Sequence, residues 1–366
     1  HMASLDGLRC LSILAVLWHH GPHGNFAPAT RGFLGVDLFF VLSGFLITTL
    51  LLEERDRFGA VDLPKFYARR ALRLLPSLYL VLGVFALISL AWAHIDWEQF
   101  VSAGFYFANL HPVVFGRDSD QSFFLHTWSL SLEEQFYLVW PLVVRKLHSP
   151  QVAAALGIGL IVAAFVSRSL VDEAYDLFTF PLFSFDGFAV GAFLALALRS
   201  GRGLGTLQHP LVVLGAAGVM AVDVVANARH PSALLPVRVL VSELAVAVVV
   251  LFLVAGPEGP VRRLLRSRPF VYVGLLSYAL YLWHFPVFEL LTEARAPELW
   301  RPLRHVLKFA VTFAAAAFTY HVVDPPFTRW RQRVRPGGAP EAPAAAGATG
   351  TGRTSSTAPP PPDEQR

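Results

Sequence analysis

The segment Leu5–His20 reads LDGLRCLSILAVLWHH, and it combines an apolar run with two groups that membrane spans rarely contain. Arg9 and His20 are eleven residues apart, which is about three turns of an α-helix. Both side chains therefore share one helix face, roughly 16 Å apart along the axis. A cation and an imidazole are costly inside a bilayer, so this pair indicates a function.

Apolar runs of similar length recur along the chain. Of its 366 residues, 54% are hydrophobic and only 15% are charged, whereas soluble proteins carry about 25% charged residues. Ten runs can be drawn, and most are long enough to cross a hydrocarbon core of about 30 Å. They are Leu5–His20, Gly32–Leu52, Arg73–Ala93, Thr127–Val144, Gln151–Leu170, Phe180–Leu198, Pro210–Ala226, Val237–Ala255, Phe270–Leu291 and Leu303–Val323.

The sequence therefore predicts an all-α, polytopic membrane protein with about ten transmembrane helices. Lysine and arginine concentrate in residues 53–72, in residues 256–269 and after the last span. With ten spans these segments share one side, which the positive-inside rule makes cytoplasmic, so both termini are expected in the cytoplasm. The net charge of +4 comes from such clusters and does not indicate nucleic-acid binding.

Two units are expected along the chain. Residues 4–335 form the membrane domain, and residues 336–366, rich in Pro, Ala, Gly, Ser and Thr, form a disordered cytoplasmic tail. The long connection His94–His126 is expected to lie in the interface or to re-enter the protein. A single cysteine, Cys10, excludes an internal disulfide.

His20 is the candidate base. Histidine titrates near neutrality and can accept a proton from a hydroxyl group. At the predicted outer end of the first span, a substrate could reach it. The alternative is a polar interfacial cluster with its neighbours His19 and His23, since Trp18 is a typical interface residue. The alignment with Arg9 favours a catalytic role.

A second cluster lies in FYARRALRLLP, residues Phe66–Pro76. Arg70 and Arg73 are three residues apart, so they share a helix face and can hold one phosphate group. Together with Arg69 they predict an anion site at the cytoplasmic start of a helix. The alternative is a topology signal that binds no ligand.

The span GFLGVDLFFVLSGFLI, Gly32–Ile47, contains Asp37, Ser43 and Gly44. The small pair lets a helix or a ligand approach the backbone, and helix packing is the favoured role for Gly44. Asp37, at the outer end, could pair with His20 or with Arg31.

Two further spans carry ionisable groups. In HTWSLSLEEQFYLVWP, His126–Pro141, Glu134 is either the partner of Ser131 in a helix capping box or a carboxylate near His20. In LSYALYLWHFPVF, His284 precedes Pro286, which frees a backbone carbonyl. Hydrogen bonding to the backbone is the favoured role for His284.

These segments, in this order, resemble the acyltransferase 3 family of integral membrane acyltransferases. The similarity extends to about Arg335 and rests on LDGLR, on the Arg-x10-His spacing of Arg9 and His20, and on FFVLSGFLI, RRALRLLP, WSLSLEEQFYL, SFDGFAVGAFLA and LSYALYLWHFPV. The resemblance implies a ten-helix core that transfers acyl groups, usually from acyl-CoA, to hydroxyls of sugars, cell-surface glycans or glycosylated natural products.

The resemblance also implies roles for residues and partners. His20 becomes the catalytic residue, and Arg9, Arg70 and Arg73 become functional arginines. The expected partners are acyl-CoA as donor co-substrate, a hydroxyl-bearing glycan or a glycosylated small molecule such as a macrolide, and the lipid bilayer of a bacterial cytoplasmic membrane; no metal is expected. Family members often carry Glu-Pro after the last span, whereas this chain has Asp324 followed by proline.

The resulting hypothesis is an O-acyltransferase in which His20 is the general base and Asp37 or Glu134 orients its ring. The residues expected to hold the donor are Arg9, Arg69, Arg70, Arg73, Ser43 and Gly44. The alternative is a polytopic transporter that uses the same intramembrane charges for substrate or proton coupling. The chain lacks the paired, Gly- or Pro-broken segments typical of carriers, which favours the enzyme.

Overall fold

The structure is a computed structural model that describes residues 2–21, 33–91, 96–116, 123–146, 149–170, 181–201, 204–226 and 235–334. All regular structure in these ranges is helical. Ten helices of 17 to 29 residues coincide with the ten predicted spans. They are α1 (Ala3–His20), α2 (Phe33–Phe58), α3 (Leu63–Ala91), α4 (Thr127–Lys146), α5 (Pro150–Leu170), α6 (Pro181–Arg199), α7 (Pro210–Ala226), α8 (Leu235–Ala255), α9 (Arg268–Leu290) and α10 (Arg301–Phe318).

Several of these helices are suited to a bilayer by length and composition. Five candidate spans lie in the described part of the chain, in α2, α3, α8, α9 and the stretch that begins with α10. Two shorter apolar helices, Ala155–Leu170 and Pro210–Asp223, accompany them. The protein is therefore a multi-pass membrane protein. Ten crossings and cytoplasmic termini stay predictions.

Contacts between helices establish their relative directions. α3 and α4 are antiparallel, because Tyr67 donates a hydrogen bond to the carbonyl of Leu138 while Arg70, further along α3, pairs with Glu134. α1 and α9 are parallel, because their first halves meet at Gly274 and their second halves meet at the histidines described below. This pattern is compatible with ten successive crossings.

The helix α3 begins ten residues earlier than predicted, at Leu63. Asp62 caps it by accepting a hydrogen bond from the backbone N–H of Lys65 at 3.2 Å. The apolar pattern marked only the part suited to a bilayer and missed the amphipathic turns before it. Arg69, Arg70 and Arg73 therefore lie inside a continuous helix rather than at its start.

The predicted capping box at Ser131 and Glu134 is wrong, because α4 begins four residues before Ser131, at Thr127. The Ser131 hydroxyl instead donates to the Thr127 carbonyl and accepts from the N–H of Ala108. That second contact fixes the connection between α3 and α4 against the bundle. In its described part this connection contains only short helices, Trp97–Gly104, Ala108–Leu110 and His111–Phe115.

The chain continues in helical form beyond α10. A π-helical segment, Thr319–Val323, leads into a helix over Asp324–Arg333, which we call the terminal helix. The terminal helix packs against α3, where the Ser77 hydroxyl donates to the Asp324 carboxylate at 2.7 Å. Residues 335–366, which include the predicted disordered tail, lie outside the described residues.

Candidate active site

His20 is the last residue of α1 and is half-buried. Its Nδ1 atom lies 3.1 Å from the carbonyl oxygen of Val16, one turn earlier, and 3.3 Å from Nε2 of His284 on α9. The two imidazole centroids are 5.1 Å apart. The structure thus gives the candidate base a second histidine as neighbour.

His284 is fully buried, with 0% of its surface exposed. Its Nδ1 atom lies 2.7 Å from the carbonyl oxygen of Tyr281 and 3.2 Å from that of Leu280. A carbonyl can only accept, so a neutral His284 carries its proton on Nδ1 and presents the Nε2 lone pair to His20. His20 then donates from Nδ1, and its Nε2 is left as the basic atom.

Two glycines bring α1 and α9 into register. A Cβ on Gly274 would lie 1.9 Å from the carbonyl oxygen of Asp6, and one on Gly7 would lie 2.1 Å from the carbonyl oxygen of Leu265, just before α9. Side chains at these positions would force the backbones apart. The glycines therefore allow the close helix contact that places His284 against His20.

Aromatic rings enclose the histidine pair. Phe285 meets the ring of His20 edge-on at 5.1 Å, and it stacks on the buried His126 at 5.1 Å. His126 also meets His284 at 5.1 Å. In the described residues these histidines form no group that could hold a metal ion.

A cavity of about 630 Å³ lies between α1, α2, α3, α4, α9 and the terminal helix. Met2, Glu53 and Gln332 line it at the face where α1 starts. Ser129 and Tyr281 line the other end, where their hydroxyls are 2.6 Å apart. The ring of Tyr281 lies 5.4 Å from that of His284, so a single aromatic side chain separates the cavity from the histidine pair.

Five arginines line this cavity, against three acidic side chains, Asp6, Glu53 and Glu133. Arg9, Arg69, Arg70 and Arg73 were expected there from the sequence, whereas Arg331 on the terminal helix was expected only as a topology signal. Glu54 and Glu134, behind the cavity wall, offset the charges of Arg69 and Arg70. Among the side chains that line the cavity itself, positive charges outnumber negative ones, which suits an anionic ligand.

Arg70 is engaged by protein groups through its Nε and Nη2 atoms. Its guanidinium forms hydrogen bonds to both carboxylate oxygens of Glu134, at 3.0–3.2 Å, and lies 3.0 Å above the ring of Tyr137. Glu133 accepts hydrogen bonds from the hydroxyls of Tyr137 and Ser43, both at 2.5 Å. This network ties α2, α3 and α4 together.

The same network relocates two predicted site residues. Glu134 was expected beside His20, but the structure pairs it with Arg70. Ser43 was expected to contact the donor, and it lines the cavity while its hydroxyl donates to Glu133. Helical periodicity predicts which side chains share a face of one helix. Which residue of another helix they contact depends on how the helices pack, and the sequence of one helix does not determine this.

The other arginines differ in how their charge is balanced. Arg9 lies 3.4 Å from Asp6, and Arg69 lies 2.8 Å from Glu54. Among the described residues, Arg73 has no hydrogen-bond or ion-pair partner, and its electrostatic neighbours include Arg9, Arg70 and Arg331. Arg73 is also exposed, because its side chain faces the cavity.

Gly44 and Asp37 lie away from the cavity. A Cβ on Gly44 would lie 2.1 Å from the carbonyl oxygen of Phe188, so this position serves the packing of α2 against α6, as the sequence favoured. Asp37 is an electrostatic neighbour of a buried ion pair between Arg168 and Asp186. Arg31, its other expected partner, lies outside the described residues.

Sequence reasoning assigned two of these residues to lesser roles. His284 was expected to hydrogen-bond the backbone, which its Nδ1 does, but its contact with His20 was not anticipated. The available signal was an imidazole in the middle of an apolar span, where ionisable residues usually have a function. Arg168 was given no role in a site, yet it lies in α5 and is buried against Asp186.

Comparison with known proteins identifies the class. A model of the acyltransferase 3 family, described as an acyltransferase domain, matches residues 2–321. The chain therefore belongs to the acyltransferase 3 family, as its motifs predicted. No solved structure gives a significant match to the chain.

Curated relatives are similar over most of the chain. The peptidoglycan O-acetyltransferase OatA of Listeria monocytogenes is 29% identical over 371 residues, and the putative peptidoglycan O-acetyltransferase YrhL of Bacillus subtilis is 30% identical over 357 residues. The O-acetyltransferase OatA of Staphylococcus aureus is 26% identical over 360 residues. These matches cover 89–90% of this chain and 55–57% of the relatives' own lengths, so the chain spans just over half of each relative.

Proposed function

We propose that this protein is a membrane O-acyltransferase that moves an acyl group, acetyl in the first instance, from acyl-CoA to a hydroxyl of a sugar-containing acceptor. The observation that carries the proposal is the cavity, which is rich in arginine at one end and reaches, at its other end, a tyrosine that contacts His284, the neighbour of His20. Family membership and the printed names of the relatives support acyl transfer to hydroxyls.

The donor binds from the face on which α1 begins, which we take to be cytoplasmic. The phosphates of CoA lie near Arg73 and Arg9, because guanidinium groups bind phosphate strongly and Arg73 has no protein partner among the described residues. Arg70 contributes by holding the walls of the cavity through Glu134, and it is not itself a ligand. The acyl thioester points towards Ser129 and Tyr281.

His20 is the general base, and its Nε2 is the reacting atom. His284 holds the proton of His20 on Nδ1 and so keeps Nε2 unprotonated before the reaction. When Nε2 takes up a proton, the Nε2 atom of His284 accepts a hydrogen bond from the resulting imidazolium. His284 is therefore a positioning residue. It takes the role of orienting the ring of His20, which the sequence had predicted for Asp37 or Glu134.

The reaction is a direct transfer. His20 takes the proton of the acceptor hydroxyl while the hydroxyl oxygen attacks the thioester carbonyl carbon, and an ester bond forms as the carbon–sulfur bond breaks. The protonated imidazole then gives its proton to the departing thiolate, which leaves as CoA thiol. General base assistance of this kind contributes about 10²- to 10⁴-fold to the rate.

The acceptor approaches from the opposite side, because His20 is half-buried at the end of α1 and is reachable there. Among the acceptor classes that the sequence left open, the names of the relatives favour a glycan over a macrolide. The transporter alternative loses its support, since the chain belongs to an acyltransferase family.

The test is direct transfer by purified protein in lipid nanodiscs. Acetyl-CoA and short glycan acceptors are added, the release of CoA thiol is followed with a thiol reagent, and acetyl esters are detected by mass spectrometry. Thiol release that requires the acceptor supports the proposal. The absence of both signals with every acyl-CoA and acceptor tried would refute it.

A matched pair of variants tests the base. His20→Gln should lower the rate by at least about 100-fold. His19→Gln changes the adjacent histidine, which points about 100° away on the same helix, and should retain most of the activity. Equal losses in the two variants would remove His20 from the mechanism.

A further inference from the structure

The terminal helix lies outside the region that the family model matches, which ends at residue 321, yet it forms part of the cavity wall. Arg331 and Gln332, near its end, line the cavity together with Arg73 and Arg9. We propose that Arg331 binds a phosphate group of the cavity's ligand jointly with Arg73, so that the terminal helix completes an anion site. This inference rests on the proposed function for the identity of the donor.

Charge balance is the first argument. Among the described residues, Arg9, Arg69 and Arg70 each pair with a carboxylate of the protein, whereas Arg73 and Arg331 have no hydrogen-bond or ion-pair partner for their guanidinium groups. Arg73 and Arg331 are nevertheless electrostatic neighbours. Two like charges held in one cavity repel each other, and the attraction of both to a bound anion offsets this repulsion.

Anchoring of the helix is the second argument. Arg69 donates a hydrogen bond to the carbonyl of Val334, the residue that ends the terminal helix, and it also pairs with Glu54. At the other end of the helix, Asp324 accepts a hydrogen bond from Ser77 on α3. The terminal helix is thus fastened to the cavity mouth at both ends, and Arg331 is held in place.

Acidic groups near the site are themselves engaged. Asp324 is within electrostatic range of both Arg73 and Arg331, but its carboxylate contacts Ser77. Asp6 pairs with Arg9. The hydroxyl of Ser77 is neutral, so Asp324 keeps its negative charge, but it is a single charge against the two guanidinium groups of Arg73 and Arg331. The remaining positive charge suits a phosphate-bearing ligand, which can be a soluble donor such as CoA or the headgroup of an anionic lipid.

The terminal helix offers a matched control. Arg333 is exposed and is two residues from Arg331, which places it about 200° around the helix, on the face away from the cavity. Arg331→Gln and Arg333→Gln remove the same charge from the same helix. A general electrostatic effect changes ligand binding equally in both variants, whereas a direct contact changes it only in the first.

The experiment measures binding of CoA to the purified protein in nanodiscs of phosphatidylcholine, with the thermal unfolding of each variant as a check on folding. Arg331→Gln should weaken CoA binding about tenfold or more, Arg331→Lys should recover part of the loss, and Arg333→Gln should stay within about twofold. Unchanged binding in Arg331→Gln, or equal losses in the two Gln variants, overturns the proposal.

A second arm separates this inference from the proposed function. If the wild-type protein does not bind CoA, the donor assignment fails, and the anion site is tested with vesicles that mix phosphatidylglycerol and phosphatidylcholine. Native mass spectrometry then counts retained phosphatidylglycerol. Loss of retention in Arg331→Gln but not in Arg333→Gln supports a site for a lipid phosphate, and equal retention in both overturns the inference.

Discussion

The hydrogen bond from His20 to His284 can be removed without deleting the base. His284→Phe keeps an aromatic ring of similar volume but has no acceptor for the Nδ1 proton of His20. His284→Gln can still present an amide oxygen to it. The pair therefore isolates the contact at 3.3 Å from the packing of a fully buried ring.

The magnitude follows from the charge that develops on His20 in the transition state. A hydrogen bond to a charged group contributes about 1.5–3 kcal/mol. The carbonyl of Val16, at 3.1 Å, remains as an acceptor in the variant and compensates part of the loss. We therefore expect His284→Phe to lower kcat by about 10- to 30-fold, at the low end of that range, with little change in KM for the donor.

The assay is CoA thiol release at saturating donor and acceptor, for the two His284 variants alone and combined with His20→Ala. His284→Gln should recover much of the lost rate. In the His20→Ala background His284→Phe should have almost no further effect, because residues that act through one another are not additive. A full 10-fold loss in that background, or a loss confined to KM, would refute the assignment of His284 as a positioning residue.

Two other predictions concern the cavity and the helix packing. Arg73→Gln should raise the donor KM about tenfold at an unchanged melting temperature. Arg70→Gln should instead lower the melting temperature, because it leaves the partly buried carboxylate of Glu134 unpaired at a cost of up to about 3–5 kcal/mol. The reverse pattern would exchange the roles of the two arginines. Gly274→Ala should reduce both stability, measured by thermal unfolding, and kcat, measured by thiol release, since its Cβ would lie 1.9 Å from the carbonyl oxygen of Asp6. The control is Gly83→Ala, which has no atom within 4 Å of the added Cβ and should be neutral or slightly stabilising. A neutral Gly274→Ala would argue against close contact of α1 and α9.

The sequence predicted the helices well because hydrophobicity determines which segments cross a bilayer. All ten predicted spans correspond to long helices. Their ends were less predictable, as at α3, where the amphipathic turns before Arg73 are helical but not apolar. Hydropathy predicts only the part of a helix that is suited to lipid. The backbone hydrogen bonds of α3 continue through its polar turns as far as the cap at Asp62.

The site was predictable in parts. Helical periodicity predicts a shared face for Arg9 and His20, and Arg9 does line the cavity together with the arginines of α3, whereas His20 is not among the lining residues. The partners of these groups did not follow, because Glu134 could face His20 or Arg70 with the same sequence. His284 and Arg331 were visible as residues, but only the packing of α9 and of the terminal helix reveals what they contact.

The histidine pair joins residues 264 positions apart in sequence, on the first and ninth long helices. During synthesis the imidazole of His20 therefore lacks this neighbour until α9 has emerged from the ribosome, when almost the whole domain has been made. Nascent fragments that stop before α9 contain the base without its partner. The protein thus becomes competent for the proposed chemistry only at a late stage of its biogenesis.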